Sequence, residues 1–501
     1  MYRSPTITNC KTRNWNRVII DKIKYYLRKQ NLNDNIVFKY SQNKLLVTII
    51  FFVLLISQSI IYAQGYKIDV QLKQLADSNI YLGYHYGNEQ YVIDTTHLDK
   101  NGKGVFEGKN ILPEGVYMIV FPNMKYFDVL MPAQQVFKIK NDTSNLNVNL
   151  EIEGSVENEM YAKYQKFSTE ILSKIAELSK TNNSENQKLT DSLQLVIRNE
   201  RNRIIKQEPN TFFASLLKSM VDPDIPENLA NPDNPADFEK RMNYLTSHYF
   251  DNYDFNDERL LFSPVLYNKV LTFYSKLVEN NTDTIINSVD NILSRSFKNT
   301  EVYRFLLNSL LSTFDLSGEI PNDEAFVYIA ENYYLKELAP WVNENFIERL
   351  KKHVNDLKPT LIGASAPQLI LSDTSANKLS LYDLKSCYTL VIFWNPECEH
   401  CAEYLAELKN VYDSFDAIFF QVFTVLATDN QKLWKTYIQN NKFKWLNVYD
   451  ATKKNDFVQT YKLFMIPRIY LLDNNKRIVL KDFEINELNI FLNKNKKNDC
   501  R

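Results

Sequence analysis

The chain has 501 residues, which is enough for about two to four domains. Apolar residues make up 45% and charged residues 24%, the composition of an ordinary globular protein, and the net charge of −1 argues against a nucleic-acid-binding protein. Tyr (31) and Phe (30) are abundant whereas Gly numbers only 10, which indicates packed strands and helices and excludes a chain dominated by low-complexity linkers.

Residues 1–63 form a basic extension that ends in an apolar run. They carry ten Lys and Arg residues against two Asp, and no charged residue occurs between Leu45 and Ile56. A basic flank, a short apolar core and a small residue, Ala63, predict a secretory signal peptide. The alternative is an uncleaved inner-membrane anchor, because the 19 residues 45–63 are just within spanning length. Either reading places the rest of the chain in the cell envelope or periplasm.

Residues 64–153 alternate apolar and polar positions with a period of two. Runs such as YKIDVQL, NIYLGYHY and GVYMIVF are separated by turn signals such as DKNGKG and LPEG. About eight short strands predict an antiparallel β-sandwich or barrel-like domain. The segment holds no cluster of His, Asp and Cys and no glycine-rich phosphate loop, so a binding or spacing role is favoured over catalysis.

Residues 154–358 change to a helical pattern. In MYAKYQKFSTEILSKIAELSK the apolar residues recur at i, i+3, i+4 and i+7, and similar stretches follow. Loops rich in Pro, Asn and Asp, such as DPDIPENLANPDNPAD, separate these stretches. The pattern predicts an all-α middle region, in which the isolated His248 and His353 are interpreted as surface or hydrogen-bonded histidines.

Residues 359–497 alternate strand and helix patterns. YTLVIFW (388–394) is a nearly continuous apolar run, as expected of a strand buried on both faces. A helical stretch, CAEYLAELKNVYDSF, follows it. Further on, PRIYLLD and KRIVLKDF predict an antiparallel hairpin before a last helix. This order predicts an α/β domain.

Cys398 and Cys401 stand between the buried strand and the following helix. The unpaired N–H groups and the dipole at a helix N-terminus favour the thiolate of Cys398, and Cys401, one turn further on, can close a disulfide with it. This arrangement predicts thiol–disulfide exchange, in which Cys398 attacks and Cys401 resolves. The alternative is a metal site. Structural zinc requires four ligands, and the sequence has no second C-x-x-C pair, although His400 offers one further ligand for copper.

The motif VIFWNPECEHC, with MIPRIYLLD some 60 residues later, resembles the thioredoxin superfamily, in particular the TlpA/ResA-like exported thiol–disulfide oxidoreductases. The resemblance implies a thioredoxin fold and a cis peptide at Ile466–Pro467 that faces the pair and helps to bind the substrate chain. It also assigns Trp394 and Pro396 to substrate binding or tuning. The two upstream regions resemble the β-rich and helical regions that accompany TlpA-like domains in Bacteroidetes envelope proteins.

The same resemblance implies the redox group and the partners. The pair itself is the redox group, with no other cofactor and no metal. The expected partners are protein thiols and disulfides, including apocytochrome-type thiols, and an electron donor in the envelope.

The sequence departs from the family pattern where the proton acceptor of the second cysteine is expected. Thioredoxins carry a buried Asp two residues before the Trp, where this chain has Ile392. ResA-like proteins often carry Glu three residues after the second cysteine, where this chain has Tyr404. Glu403, Glu399 and water are the remaining candidates for this role.

The direction of exchange depends on the charges beside Cys398. His400 and the helix dipole favour the thiolate and hence an oxidant, whereas Glu397 and Glu399 oppose it. Each exposed carboxylate within one helical turn changes the thiolate energy by about 0.3–1 kcal/mol. Two carboxylates therefore offset one neutral histidine, and the sequence favours a reductase of protein disulfides.

Two other functions are weighed against exchange. A thiol peroxidase of the same general fold requires a P-x-x-x-T-x-x-C loop, and NPECEHCAE has neither this Thr nor this spacing. In the second alternative the upstream regions make a binding or scaffold protein of the envelope, and the redox pair is secondary. Cys387, just before the buried strand, is interpreted as a bystander.

Overall fold

A computed structural model describes residues 65–496, apart from 73, 182, 230–234, 280, 454 and 464. The basic extension and the predicted signal peptide or anchor, residues 1–63, lie outside the described residues. Among the helices that are described, none is long and apolar enough to cross a membrane.

The β-rich region forms two four-stranded sheets, with strand orders β4-β1-β7-β8 and β3-β2-β5-β6. Its strands are β1 (Lys67–Leu72), β2 (Asn79–Tyr86), β3 (Glu89–His97), β4 (Lys103–Glu107), β5 (Gly115–Val120), β6 (Tyr126–Met131), β7 (Val136–Asn141) and β8 (Glu151–Glu153). In β1 the side chains of Ile68, Val70 and Leu72 are buried and their neighbours are not, as the period-two pattern predicts. The predicted β-rich domain is confirmed. Within these sheets β1 and β7 pair in parallel and the other pairs are antiparallel.

The middle region is helical, as predicted. Its α-helices are α1 (Val156–Leu178), α2 (Ser184–Gln207), α3 (Phe212–Ser219), α4 (Pro235–His248), α5 (Val265–Lys276), α6 (Thr282–Ser296), α7 (Thr300–Phe314), α8 (Asp323–Ile329) and α9 (Glu344–Leu357). Short 3₁₀ turns lie at Glu227–Leu229, Glu258–Phe262 and Lys358–Thr360, and a π-helical turn at Ala330–Tyr334 follows α8. Asn side chains cap many of these helices: Asn322, for example, accepts the N–H of Ala325 at the start of α8.

The β-rich and helical regions share one continuous hydrophobic core. At their junction the ring of Tyr86 meets Phe305 edge-on with centroids 5.7 Å apart. The side chain of Asn158 on α1 bonds the backbone N–H and C=O of Leu130 on β6, at 3.0 and 2.9 Å. Because the buried surface of each region is completed by the other, the two regions stabilise each other.

The C-terminal domain is built on a seven-stranded sheet of order β10-β9-β13-β12-β11-β14-β15. The strands are β9 (Ile370–Asp373), β10 (Lys378–Ser380), β11 (Tyr388–Trp394), β12 (Phe420–Leu426), β13 (Leu446–Tyr449), β14 (Arg468–Leu472) and β15 (Ile478–Lys481); the helices are α10 (Glu399–Tyr412), α11 (Gln431–Asn441), α12 (Phe457–Thr460) and α13 (Ile485–Asn495), with a 3₁₀ turn at Leu381–Asp383. β11, β12 and β13 are parallel, whereas β14 and β15 are antiparallel additions. The predicted thioredoxin fold is confirmed.

Strand β11 lies inside this sheet, between β12 and β14, and is buried on both faces. Leu390 and Ile392 face one core, which contains side chains of α10, α11 and α13. Val391 and Phe393 face a second core on the opposite side of the sheet. This burial explains the unbroken apolar run and fixes the position at which the chain leaves the sheet towards the cysteine pair.

We expect Leu390→Ala to lower the free energy of unfolding of the C-terminal domain by about 2–5 kcal/mol, because it opens a cavity beside a fully buried strand. Ile370→Ala in β9 is the matched control: this side chain is 54% exposed, and its loss is expected to change stability by no more than about 0.5 kcal/mol. Urea denaturation of the two variants measures the difference. Equal effects would show that β11 is not the rigid centre of the domain.

Candidate functional site

The cysteine pair lies where β11 ends and α10 begins. Between them the backbone turns at Asn395, whose carbonyl accepts the N–H of Cys398 at 3.1 Å and whose side chain accepts the N–H of Glu397 at 2.9 Å. Cys398 is the N-cap residue of α10. The turn therefore delivers the first cysteine to the helix N-terminus, where unpaired backbone N–H groups concentrate positive potential.

Cys398 and Cys401 are joined in a disulfide, with their Cα atoms 5.2 Å apart. The two sulfurs differ in exposure: Cys401 is completely buried, whereas Cys398 is only partly buried. The Sγ atom of Cys398 accepts the backbone N–H of Cys401 at 3.2 Å. Cys398 is therefore the sulfur that an external disulfide can reach, and a backbone donor is in place for its thiolate.

The Ile466–Pro467 step faces the pair. Its peptide bond is cis, and the carbonyl oxygen of Ile466 lies 3.7 Å from the Sγ atom of Cys398. Pro467 leads directly into β14, the antiparallel neighbour of β11. Two adjacent strands of the sheet thus bring together residues that are 68 positions apart in the sequence.

An acidic cleft of about 410 Å³ opens beside this step. Its carboxylates are Glu403, Glu407, Asp482 and Glu484, and its other lining residues include His400, Tyr404, Ile466 and Pro467. The cleft borders Ile466, whose carbonyl oxygen lies beside the Sγ atom of Cys398, so negative charge here disfavours a thiolate on that side.

Tyr404 occupies the wall of the cleft. Its hydroxyl is buried and has no hydrogen-bond partner among the described residues. Burial raises the pKa of Tyr404, and the charges of Glu484 and Asp482 raise it further. The phenol therefore stays protonated at neutral pH and cannot act as the base that removes the proton of Cys401.

The other predicted site residues lie at different depths. Glu397 and Glu399 are exposed and Pro396 is half-buried. His400 is 88% exposed, and its Nδ1 lies 3.5 Å from a carboxylate oxygen of Glu403, which is 69% exposed. Glu403 therefore points to solvent and to His400, which does not favour it as the proton acceptor of a buried Cys401.

Trp394 lies in the core and does not line the site. It is completely buried, with its ring 5.4 Å from that of Tyr437 on α11. A direct contact of Trp394 with a substrate is therefore not supported, and its role in tuning the pair through the packing of β11 against α11 stays a prediction.

Two residues of this site were not predicted from the sequence. Asp482 follows β15, lines the cleft and pairs with Arg468 through oxygen and nitrogen atoms 2.6 Å apart. Arg468 directly follows Pro467, and this adjacency was the only signal available in the sequence. Asp482 carried no signal, because its place in the cleft depends on the register of the β14–β15 hairpin.

In the described part of the chain, no group of three or more His, Cys, Asp and Glu side chains is arranged to hold an ion. Cys387 is buried and disulfide-bonded. It is therefore not a third free thiol beside the pair.

Three family models match successive parts of the chain. Residues 362–481 match the model described as the AhpC/TSA family. Residues 66–161 and 158–359 match two models described as domains of unknown function, DUF4369 and DUF5106.

Individual proteins are similar to parts of the chain. A thiol-disulfide oxidoreductase ResA of Bacillus cereus is 22% identical over 126 residues, which cover 25% of this chain and 72% of that protein. The crystal structure of a thioredoxin-like protein from Bacteroides caccae is 22% identical and covers 55% of this chain and 98% of its own, with a TM-score of 0.43. A domain of a possible thiol-disulfide isomerase from Cytophaga hutchinsonii is 33% identical and covers 28% of this chain and 95% of its own, with a TM-score of 0.26.

We expect Tyr404→Phe to raise the free energy of unfolding by about 1 kcal/mol, because it removes a buried hydroxyl that lacks a partner. Tyr328→Phe is the matched control: its hydroxyl donates to Asp290 at 2.7 Å, and its removal is expected to cost about 1 kcal/mol. Urea denaturation of both variants measures whether each substitution raises or lowers the free energy of unfolding. A loss of stability in Tyr404→Phe would show that its hydroxyl is hydrogen-bonded.

Proposed function

We propose that the chain is an exported reductase of protein disulfides, because its C-terminal domain matches the AhpC/TSA family model over residues 362–481 and is similar to thiol-disulfide oxidoreductases named ResA. The proposed redox group is the Cys398–Cys401 pair, without another cofactor. The observation that carries the proposal is the difference in burial between the two sulfurs, because exchange requires one sulfur that a substrate reaches and one that it does not.

The proposed reaction starts from the reduced pair. The thiolate of Cys398 attacks one sulfur of a substrate disulfide, which forms a mixed disulfide and releases the other substrate sulfur as a thiolate. Cys401 then gives up its proton and attacks the Sγ atom of Cys398, which breaks the mixed disulfide and releases the second substrate thiolate. Two electrons pass to the substrate, and the pair ends as the disulfide seen in the structure. A dithiol donor of the envelope restores the reduced pair.

The surroundings of Cys398 support the first step, the attack of its thiolate on a substrate disulfide. The helix N-terminus and the N–H of Cys401 stabilise the attacking thiolate, and the carbonyl of Ile466 beside the sulfur offers a backbone acceptor to a bound substrate chain. The acidic cleft favours the disulfide form of the pair, which is the electrostatic reason for proposing reduction of substrates and not their oxidation.

Export to the cell envelope is part of the proposal. It is supported by the basic flank and apolar run of residues 1–63, and either a cleaved signal or an anchor at 45–63 satisfies it. Apocytochrome-type thiols, once oxidised, are one class of substrate that this location would offer.

Peroxidase chemistry is less well supported. A peroxide-reducing thiol requires a cation that stabilises the departing hydroxide, and Arg468, which follows Pro467, is held by carboxylates instead. Its Nη2 lies 2.8 Å from Asp323 and its Nη1 lies 2.6 Å from Asp482.

We expect Cys401→Ser to accumulate a mixed disulfide with insulin, used as a defined disulfide substrate, because the resolving thiol is missing. Cys398→Ser is the matched control and should form none, since the remaining sulfur is buried. Non-reducing electrophoresis and the mass of the complex distinguish the two variants. A complex formed by Cys398→Ser and not by Cys401→Ser would reverse the roles of the cysteines, and a cellular phenotype that survives Cys398→Ser would instead favour a scaffold protein.

We expect the double substitution Glu397→Gln/Glu399→Gln to lower the pKa of the Cys398 thiol by about 0.5–1 unit, because two carboxylates no longer oppose the thiolate. The reduction potential should rise by about 15–30 mV. Glu170→Gln on an exposed face of α1 is the control and should change neither value. Iodoacetamide reactivity against pH measures the pKa. An unchanged or raised pKa in the double variant would show that these carboxylates do not set the direction of exchange.

A further inference from the structure

Two carboxylates of the helical region form ion pairs with basic side chains on either side of the Ile466–Pro467 step. Asp356 on α9 lies 3.3 Å from Nζ of Lys462, and Asp323 at the start of α8 lies 2.8 Å from Nη2 of Arg468. Lys462 and Arg468 flank the step along the sequence. Both contacts join the helical region to the C-terminal domain.

The contact at Arg468 is deeply buried. The side chains of Arg468 and Asp323 are 7% and 2% exposed, and Lys481, at the end of β15, also contacts Asp323. Burial disfavours the charge of Arg468, but Asp482, Tyr470 and Asp323 outweigh it and raise the pKa of Arg468 above its ordinary value. The guanidinium therefore stays charged, and little solvent screens its contacts.

The guanidinium of Arg468 also contacts a carboxylate of the acidic cleft. Its Nη1 lies 2.6 Å from Asp482, and a side-chain oxygen of Asp482 accepts the N–H of Ile469 at 3.1 Å. The planar guanidinium thus binds a carboxylate of the helical region on one nitrogen and a cleft carboxylate on the other, which fixes its orientation. Residue 468 cannot shift without moving the step that precedes it, and the carbonyl of Ile466 is the group that approaches Cys398.

We propose that Asp323 and Asp356 are positioning residues for the exchange site, which hold Lys462 and Arg468 so that Ile466 and Pro467 face Cys398. The helical region is then required for the recognition of a protein substrate by the enzyme. The inference rests on the proposed function, since it concerns the part of the same site that a substrate chain contacts. A protein disulfide needs this surface beside Cys398, whereas a small aromatic disulfide needs only the thiolate.

The test compares insulin with 5,5′-dithiobis(2-nitrobenzoate) as substrates of the full chain. We expect Asp356→Asn and Asp323→Asn to raise KM for insulin by roughly three- to tenfold, which lies within the range of coupling energies between residues in contact. The rate with the small disulfide should not change, because Cys398 is untouched. Asp356→Glu keeps the charge and should restore KM for insulin.

Lys352→Met is the matched control for Asp356. Lys352, which is 79% exposed, also pairs with Asp356, at 2.9 Å, so its loss removes an ion pair of the same carboxylate without touching Lys462. We expect it to leave KM for both substrates unchanged. If Asp323→Asn does not fold, Asp356→Asn and Asp356→Glu still test the positioning role, because Asp356 is partly exposed.

The possible outcomes distinguish the positioning role of Asp323 and Asp356 from the proposed function on which it rests. A wild-type chain that reduces neither substrate contradicts the proposed function itself. Wild-type activity with unchanged KM in both Asp→Asn variants overturns the positioning role and leaves the function standing. Equal losses with both substrates, or the same KM change in Lys352→Met, would also overturn it, because they indicate a general loss of structure.

Discussion

The burial of β11 on both faces of the C-terminal sheet is the constraint on which the site depends. Every residue from Thr389 to Trp394 is buried, so neither the register nor the direction of this strand can change without loss of core contacts. The strand ends at a fixed edge of the sheet, and the turn at Asn395 then places Cys398 at the start of α10. The antiparallel pairing of β14 with β11 brings Pro467 to the same edge. The chemistry of the pair follows from these placements, since they set which sulfur is exposed and which backbone groups surround it.

The three regions differ in how they are held together. The β-rich and helical regions share an apolar core, so neither region buries its apolar side chains fully without the other. Between the helical region and the C-terminal domain the contacts nearest the site are ion pairs, with Asp323 and Asp356 as the carboxylates. A buried ion pair adds little net stability, but removal of one partner costs about 3–5 kcal/mol, so such a pair specifies geometry more than it adds strength. This is the kind of contact expected where orientation beside a reactive sulfur matters.

The local features of the site were predictable from sequence because short-range physics determines them. The apolar run of β11, the C-x-x-C spacing and the helix after it are adjacent, and each has its own signal in the residues. The β-rich and helical regions and the α/β pattern of the C-terminal domain were predicted for the same reason, whereas the thioredoxin fold was implied by the resemblance of the cysteine motif to that superfamily. The bond between Cys398 and Cys401 is present in the structure, but the roles assigned to these residues stay predictions.

The remaining features depend on contacts between distant residues. Asp323 and Arg468 are 145 positions apart, and no periodicity links them. The shared core of the upstream regions was missed because an apolar face in a sequence does not reveal its partner. The burial of Tyr404 follows from how α10 packs, which a residue-by-residue comparison with a family pattern cannot supply.

The reduction potential of the Cys398–Cys401 pair tests the central claim most directly. The full chain is equilibrated in dithiothreitol buffers of graded potential, alkylated, and analysed by the mass of the peptide that carries both cysteines, which keeps the disulfide of Cys387 out of the measurement. A reductase of protein disulfides predicts a potential below about −200 mV, towards that of thioredoxin near −270 mV. A potential above about −150 mV, in the range of strong oxidants, would contradict the account.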